Sequence, residues 1–376
     1  MRDLLAHADL ARYAGQFVWL ELSYDEAENR PFLTKFGAEA TPTFFVIDPE
    51  DERVTAMQPG VMSLPELTQF LDRGGSSVLA KTQTPANTAL TRGDALLAQQ
   101  PAEAAKSYQE ALHLASATWP QRELTEASLV QALLDSNQWQ SCAETASTEA
   151  ARMKRGVIFA RTVVAGMWCL ASTDPAAWTE VELGKLKPLA EQALTLPTTV
   201  RDHRDAIYRT LMYISVARHD NAGAAKWGDR WLAELDAIKP ASDDERSALD
   251  IARVENIQVF GDPVRILPAL HASERAMPNN YIASLRVAQM ESAAKHDDEA
   301  IAACDRGLAR CPGANGRAWL LQIKASGLTA KGQKEEARRA LEEALQAAQT
   351  IPDKMARDMN VQMISNRLKS TENEKK

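Results

Sequence analysis

A chain of 376 residues, 45% of them hydrophobic, has room for more than one buried core. Its formal charge of −8 and pI near 5.5 argue against nucleic acid or an anionic membrane as the main partner, since both need a positive field. No apolar run approaches the ~20 residues that span a bilayer, and the opening MRDLLAHADLARY alternates charge with leucine instead of forming a signal-peptide core.

In chain order, Leu4, Leu5, Ala8, Leu10 and Ala11 line one face of a predicted helix, and QFVWLEL, residues 16–22, reads as a short strand rich in β-formers. Glu26 to Phe36 is predicted helical, with Phe32, Leu33 and Phe36 on one side and Gly37 at a position suited to a left-handed cap. Thr41 and Pro42 then open a strand, Thr43–Ile47. The turn residues Asp48 and Pro49 lead to its hairpin partner around Val54–Met57. A proline at a strand's first position costs little in lost N–H pairing, and the Thr41–Pro42 bond is a candidate for the cis isomer. Ser63 is placed to cap a helix whose Leu64, Leu67, Phe70 and Leu71 face inward.

This order, together with the spacing of Gly37, Thr41, Pro42 and Gly60, resembles the thioredoxin fold. The resemblance implies that Pro42 is the family's cis-proline and that the backbone of Thr41 pairs with an extended substrate chain, so Thr41 and Pro42 are the expected substrate-binding residues. The family's first central strand and its CxxC motif are absent from the chain as it stands. Met1 fits the methionine that often follows that motif inside the helix, so strand and motif are expected ahead of Met1; the alternative is a domain that lost them and serves only to bind.

Gly74, Gly75, Ser76, Ser77 and Pro85 mark a boundary, so the organisation expected is a truncated thioredoxin-like α/β domain over 1–73, a linker over 74–85, and an all-α region over 86–368. In the last, Ala104, Tyr108 and Ala111 give the spacing A-x3-aromatic-x2-A, echoed by Ala300, Cys304 and Gly307 and by Ala337, Leu341 and Ala344. The pattern is similar to the second helix of a tetratricopeptide repeat, in which small residues let paired helices touch. The fold class is therefore α+β multidomain with a tetratricopeptide-like solenoid, followed by a disordered tail over 369–376. Between about 150 and 275 the repeat pattern fades, and its tryptophans read mainly as packing between repeats, with one or two free to line a peptide groove.

Cys142, Cys169, Cys304 and Cys311 show no CxxC or regular spacing and read as small buried hydrophobes, not a disulfide framework. The six histidines lack ligand spacing, and His219 and His296 are expected at solvated hairpin turns. No nucleophile-base pair, phosphate loop or metal cluster stands out, so no catalytic residue, metal or cofactor is assigned. The expected function is a scaffold that binds a protein or peptide partner, carrying a redox-inactive thioredoxin-like domain. The alternative is a thiol-disulfide oxidoreductase whose CxxC lies ahead of Met1, which leaves the compartment open between cytoplasm, periplasm and secretion.

Overall fold

Glycine, serine and proline set where the N-terminal elements start and stop. In the computed structural model, which describes residues 2–23, 26–38, 41–79, 84–173 and 180–373, helix α1 (Arg2–Leu5) leads through a 3₁₀ turn, Ala8–Tyr13, into a turn over 14–16 and a stretch without regular structure over 17–23. Helix α2 (Arg30–Phe36) ends on Gly37, which takes φ +65° and donates its N–H to the Leu33 carbonyl. Strands β1 (Thr43–Ile47) and β2 (Val54–Pro59) pair antiparallel with Phe45 opposite Met57, and a bulge falls where Thr55 is the extra residue. The Thr55 hydroxyl is buried, with the carbonyls of Val46 and Gly74 each 3.2 Å away. Helix α3 (Leu64–Leu79) begins after Ser63, whose N–H is taken by Glu66 at 2.8 Å. Leu67, Phe70 and Leu71 of α3 close a core with Leu10, Tyr13, Val46 and Ala56.

Three expectations need correction here. Residues 16–22 form no strand: among the described residues β1 pairs with β2 alone, and a run of β-formers becomes a strand only when a neighbouring edge completes its ladder. Gly74, Gly75, Ser76 and Ser77 are not linker but the last turns of α3. Glycine is required at 74, because a Cβ there would stand 2.6 Å from Val46. Residues 80–83 of the expected linker lie outside the described residues. Finally, α18 (Lys354–Asn373) carries helix through 369–373, leaving of the expected tail only 374–376, which also lie outside the described residues.

The chain divides into two units, Met1–Arg218 and His219–Lys376. In the first, α4 (Pro85–Leu96), α5 (Pro101–Leu114), α6 (Arg122–Asp135), α7 (Trp139–Arg152), α8 (Val157–Ser172), α9 (Glu180–Thr195) and α10 (Arg201–Ala217) follow the N-terminal elements. The second holds α11 (Asn221–Ala237), α12 (Asp243–Val259), α13 (Leu267–Ala276), α14 (Tyr281–Ala293), α15 (Asp297–Leu308), α16 (Ala314–Ala330), α17 (Lys334–Gln349) and α18. Short connections make chain neighbours within each unit antiparallel, as in helical repeats. Ala104, Ala300 and Ala337 are fully buried. Asn137, Lys295 and Gly332, each at the turn between paired helices, share a left-handed backbone, with φ of 58°, 61° and 76°. The residue after each closes the same loop: Gln138 donates to Leu133, His296 to Glu291 and Gln333 to Leu328, all at 2.9 Å. No described helix is long and apolar enough to cross a membrane.

A second recurrent device was not visible in the sequence. An arginine near the start of one helix reaches back to the orphan carbonyls ending the helix before it: Arg122 to Leu112, Ala115 and Ser116, Arg155 to Ala150 and Met153, and Arg204 to Leu194. The second unit repeats it with Arg317 to Leu308 and Arg357 to Ile351. Each guanidinium satisfies carbonyls that no helical N–H can reach and sits at the negative end of the helix dipole.

Cys142 and Cys169 also depart from expectation, since they form a disulfide between α7 and α8. The close approach of the two helices makes it possible: a Cβ at Gly166 would fall inside contact distance of the Ala146 methyl. Cys304 and Cys311 are free thiols, both buried, as expected.

Candidate functional site

Thr41 and Pro42, the expected binding residues, lie in the loop that enters β1, and the peptide bond between them is cis. Thr41 is exposed and Pro42 half-buried. The Pro42 carbonyl accepts the Gly60 N–H at 2.8 Å, and Gly60 takes φ +83°, which ties the loop to the far end of β2.

A second set of exposed groups lies on the first helices of the pairs. On α8 the half-buried Val164 and the exposed Trp168 lie four residues apart and share one stripe; Asp205, Arg209 and Tyr213 follow at spacings of four on α10. The Arg209 guanidinium stands 5.6 Å from the Trp168 ring centre, linking the two stripes. Trp168 and Tyr213 remain 46% and 47% exposed, whereas Trp231 is fully buried and Trp119 donates its indole N–H to Asn87 at 3.0 Å. In the second unit, Ile251, Ile282 and Trp319 project from α12, α14 and α16 in the same way. Solvent-facing aromatic and aliphatic side chains held on rigid helices suit the recognition of a chain, not chemistry on a small molecule.

Buried beneath the first stripe is a polar cluster. Arg73 of α3 pairs with Asp94 of α4, and the Tyr108 hydroxyl donates to Asp94 at 2.9 Å. Burial pushes the Tyr108 hydroxyl well up, with the Asp94 charge adding to it. Arg161 Nη1 lies 4.0 Å from Glu66 Oε1, and among the described residues neither atom has a hydrogen-bond partner. Burial holds the Arg161 guanidinium below its usual range. Burial, then the charge of Arg161, also pushes His203 from 6.5 down to about 4. The folded state therefore keeps His203 neutral, which contributes stability that is fully present above pH 6.5 and lost as pH falls toward 4. Between pH 7 and 4 the melting temperature of the wild type should fall more steeply than that of His203→Asn; parallel curves would remove this assignment.

The second unit buries a different network. The Glu291 carboxylate lies between His271 Nε2 at 2.6 Å and His296 Nδ1 at 2.7 Å, so the imidazole of His296 is anchored, not merely solvated. Glu274 takes two bonds of 2.9 Å from Arg306. A cleft of about 540 Å³ is lined by Arg253 and Arg265, but Asp236 and Asp229 pair with them in the same lining, so their charges are already matched. Burial pushes the Cys304 thiol up to about 12, far from a reactive thiolate. Among the described residues no group of three His, Cys, Asp or Glu side chains could hold a metal ion.

No protein-family model and no curated protein matches the chain. Among solved structures, a tetratricopeptide repeat protein from Parabacteroides merdae ATCC 43184 aligns over 75% of this chain and 100% of its own, at 10% identity and a TM-score of 0.43. At that level the likeness decides nothing, and the repeat character rests on the chain's own turns and buried alanines.

Proposed function

We propose that the chain is a protein-binding scaffold: a tetratricopeptide-like helical array that engages an extended peptide or partner surface, with a thioredoxin-like module at its N-terminus. The observation that carries the reading is the stripe of Trp168, Arg209 and Tyr213, where large side chains stay exposed on a helix row that otherwise packs tightly. The cis Thr41–Pro42 bond, the left-handed Gly37 and the hairpin tied by Gly60 support the module. Thr41 and Pro42 are its proposed contact residues. Cys142 and Cys169 are bonded and Cys304 and Cys311 buried, so thiol exchange by these residues forms no part of the proposal.

A phage-displayed library of random twelve-residue peptides provides the test. Wild-type protein should enrich a shared motif, and Trp168→Ala and Tyr213→Ala should each weaken the selected peptides by about thirtyfold, since buried aromatic anchors contribute about 2 kcal/mol each. Both side chains are half exposed, so the melting temperature should hardly move. Undiminished binding by both variants would remove this face from the proposal.

A further inference from the structure

Methionine is most often a buried residue, and among the described residues the chain follows that rule until its last helix. Met57, Met153, Met167, Met212 and Met290 are each 7% exposed or less. On α18 the pattern reverses: Met355 is 81% exposed and Met359 58%. The two lie four residues apart and share one face of the helix, and the half-buried Met363 follows at the same spacing. A thioether standing in water contributes no packing that would call for methionine. What sets it apart from the other residues a solvent-facing helix position accepts is the chemistry of its sulfur.

Other residues fix α18 in place. Ile364 is fully buried, and Ala356, Val361 and Leu368 pack against the core that holds Leu341 and Ala344 of α17. Arg367 reaches α16, donating to the Gln322 carbonyl at 3.2 Å and to the Ser326 hydroxyl at 2.8 Å. A polar group added to the sulfur of Met355 or Met359 therefore leaves these contacts intact. The cysteine sulfurs offer an oxidant little competition. Cys142 and Cys169 are bonded to each other, Cys304 and Cys311 are buried, and the Cys304 thiol, pushed up to about 12 by burial, holds almost no thiolate at neutral pH.

We propose that Met355 and Met359 form a reversible oxidation site for oxidants of the hydroperoxide class. A sulfur lone pair attacks one peroxide oxygen, an S–O bond forms as the O–O bond breaks, and the departing hydroxide takes the proton carried by the transferred oxygen and leaves as water. The thioether loses two electrons and the peroxide gains them. A thiol-dependent sulfoxide reductase reverses the step: two thiols are oxidised to a disulfide, and the sulfoxide oxygen leaves as water. Each sulfoxide puts a strong hydrogen-bond acceptor where an apolar group stood, so this face of α18 passes from apolar to polar while the helix stays docked. The site does not depend on peptide binding by Trp168 and Tyr213, so either proposal can fail without the other.

The probe is hydrogen peroxide at millimolar concentration, added to the intact chain at neutral pH and followed by peptide mapping. Met355 and Met359 should each gain one oxygen about tenfold or more faster than Met57, Met153, Met167, Met212 or Met290, with Met363 in between. The melting temperature of the oxidised protein should stay within about 1 °C of its starting value, because the modified groups are exposed. Methionine sulfoxide reductase with dithiothreitol should then remove both oxygens from the folded protein. Met355→Leu with Met359→Leu should leave no fast uptake between residues 57 and 363 and an unchanged melting temperature. A buried methionine or a cysteine that reacts as fast overturns the proposal. So does a melting temperature that falls as Met355 and Met359 are oxidised, or sulfoxides that the reductase removes only after unfolding.

Discussion

Replacing Cys142 and Cys169 together by alanine is expected to cost the first unit about 3–4 kcal/mol. The bond closes a loop with a sequence separation of 27, and loop-closure entropy for a loop of that size is about 3.6 kcal/mol at room temperature. Both sulfurs are fully buried, so reductant reaches them only through an opened or unfolded chain. The comparison is therefore made by unfolding in denaturant and refolding with or without dithiothreitol. Reduced wild type should approach the double variant, and the double variant should be indifferent to reductant. Cys304→Ala should keep the reductant effect, because its thiol is free. If denatured, unreduced protein yields four titratable thiols, or reductant leaves the wild-type midpoint unmoved, the staple does not contribute as described. Disulfides of this kind persist in oxidising surroundings, so the same measurement reports how well the chain would stand in a reducing one.

What the sequence made legible was local. Gly37, the Thr41–Pro42 step and the β1–β2 hairpin are encoded within a few residues of where they act, and alanine at 104, 300 and 337 marks close helix contacts because little else fits there. Pairing was not legible. The β-formers of QFVWLEL predict a strand as strongly as those of Thr43–Ile47, yet among the described residues only the second run has a partner edge. The disulfide was hidden for the same reason: Cys142 and Cys169 sit on separate helices, and the approach that joins them depends on Gly166 meeting Ala146.

The candidate site divides similarly. Thr41 and Pro42 announce themselves as a motif, whereas Trp168 is one of 8 tryptophans with nothing in its neighbours to distinguish it. Its exposure is fixed by the rotation of α8 against flanking helices, a property of assembled helices and not of any window of sequence. His296 shows the reverse case: its turn position was read correctly, but Glu291, one turn earlier on α14, engages its ring. The arginine caps are explicable afterwards and invisible before, since an arginine in the first turn of a helix has meaning only once the preceding helix is known to end beside it.

The largest loss is expected from Asp94→Ala. Asp94 is 1% exposed and accepts the Arg73 guanidinium, the Tyr108 hydroxyl and the Met57 backbone N–H, so one carboxylate joins α3, α4, α5 and β2. Truncating it leaves a guanidinium that is itself only 8% exposed without its counter-charge, and strands a buried hydroxyl and N–H besides. Removing one partner of such a pair costs about 3–5 kcal/mol, most of it the penalty of the charge left behind. The explanation makes a sharper demand than the single variant. If the cost comes from the stranded groups, Arg73→Met, Asp94→Leu and Tyr108→Phe together should recover most of it, because apolar residues of similar volume need no partners. Chemical denaturation of the wild type, Asp94→Ala and the triple variant decides the matter. A triple variant no more stable than Asp94→Ala would show that the carboxylate contributes through shape or strand register; recovery to within about 1–2 kcal/mol of the wild type would place the cost in uncompensated burial.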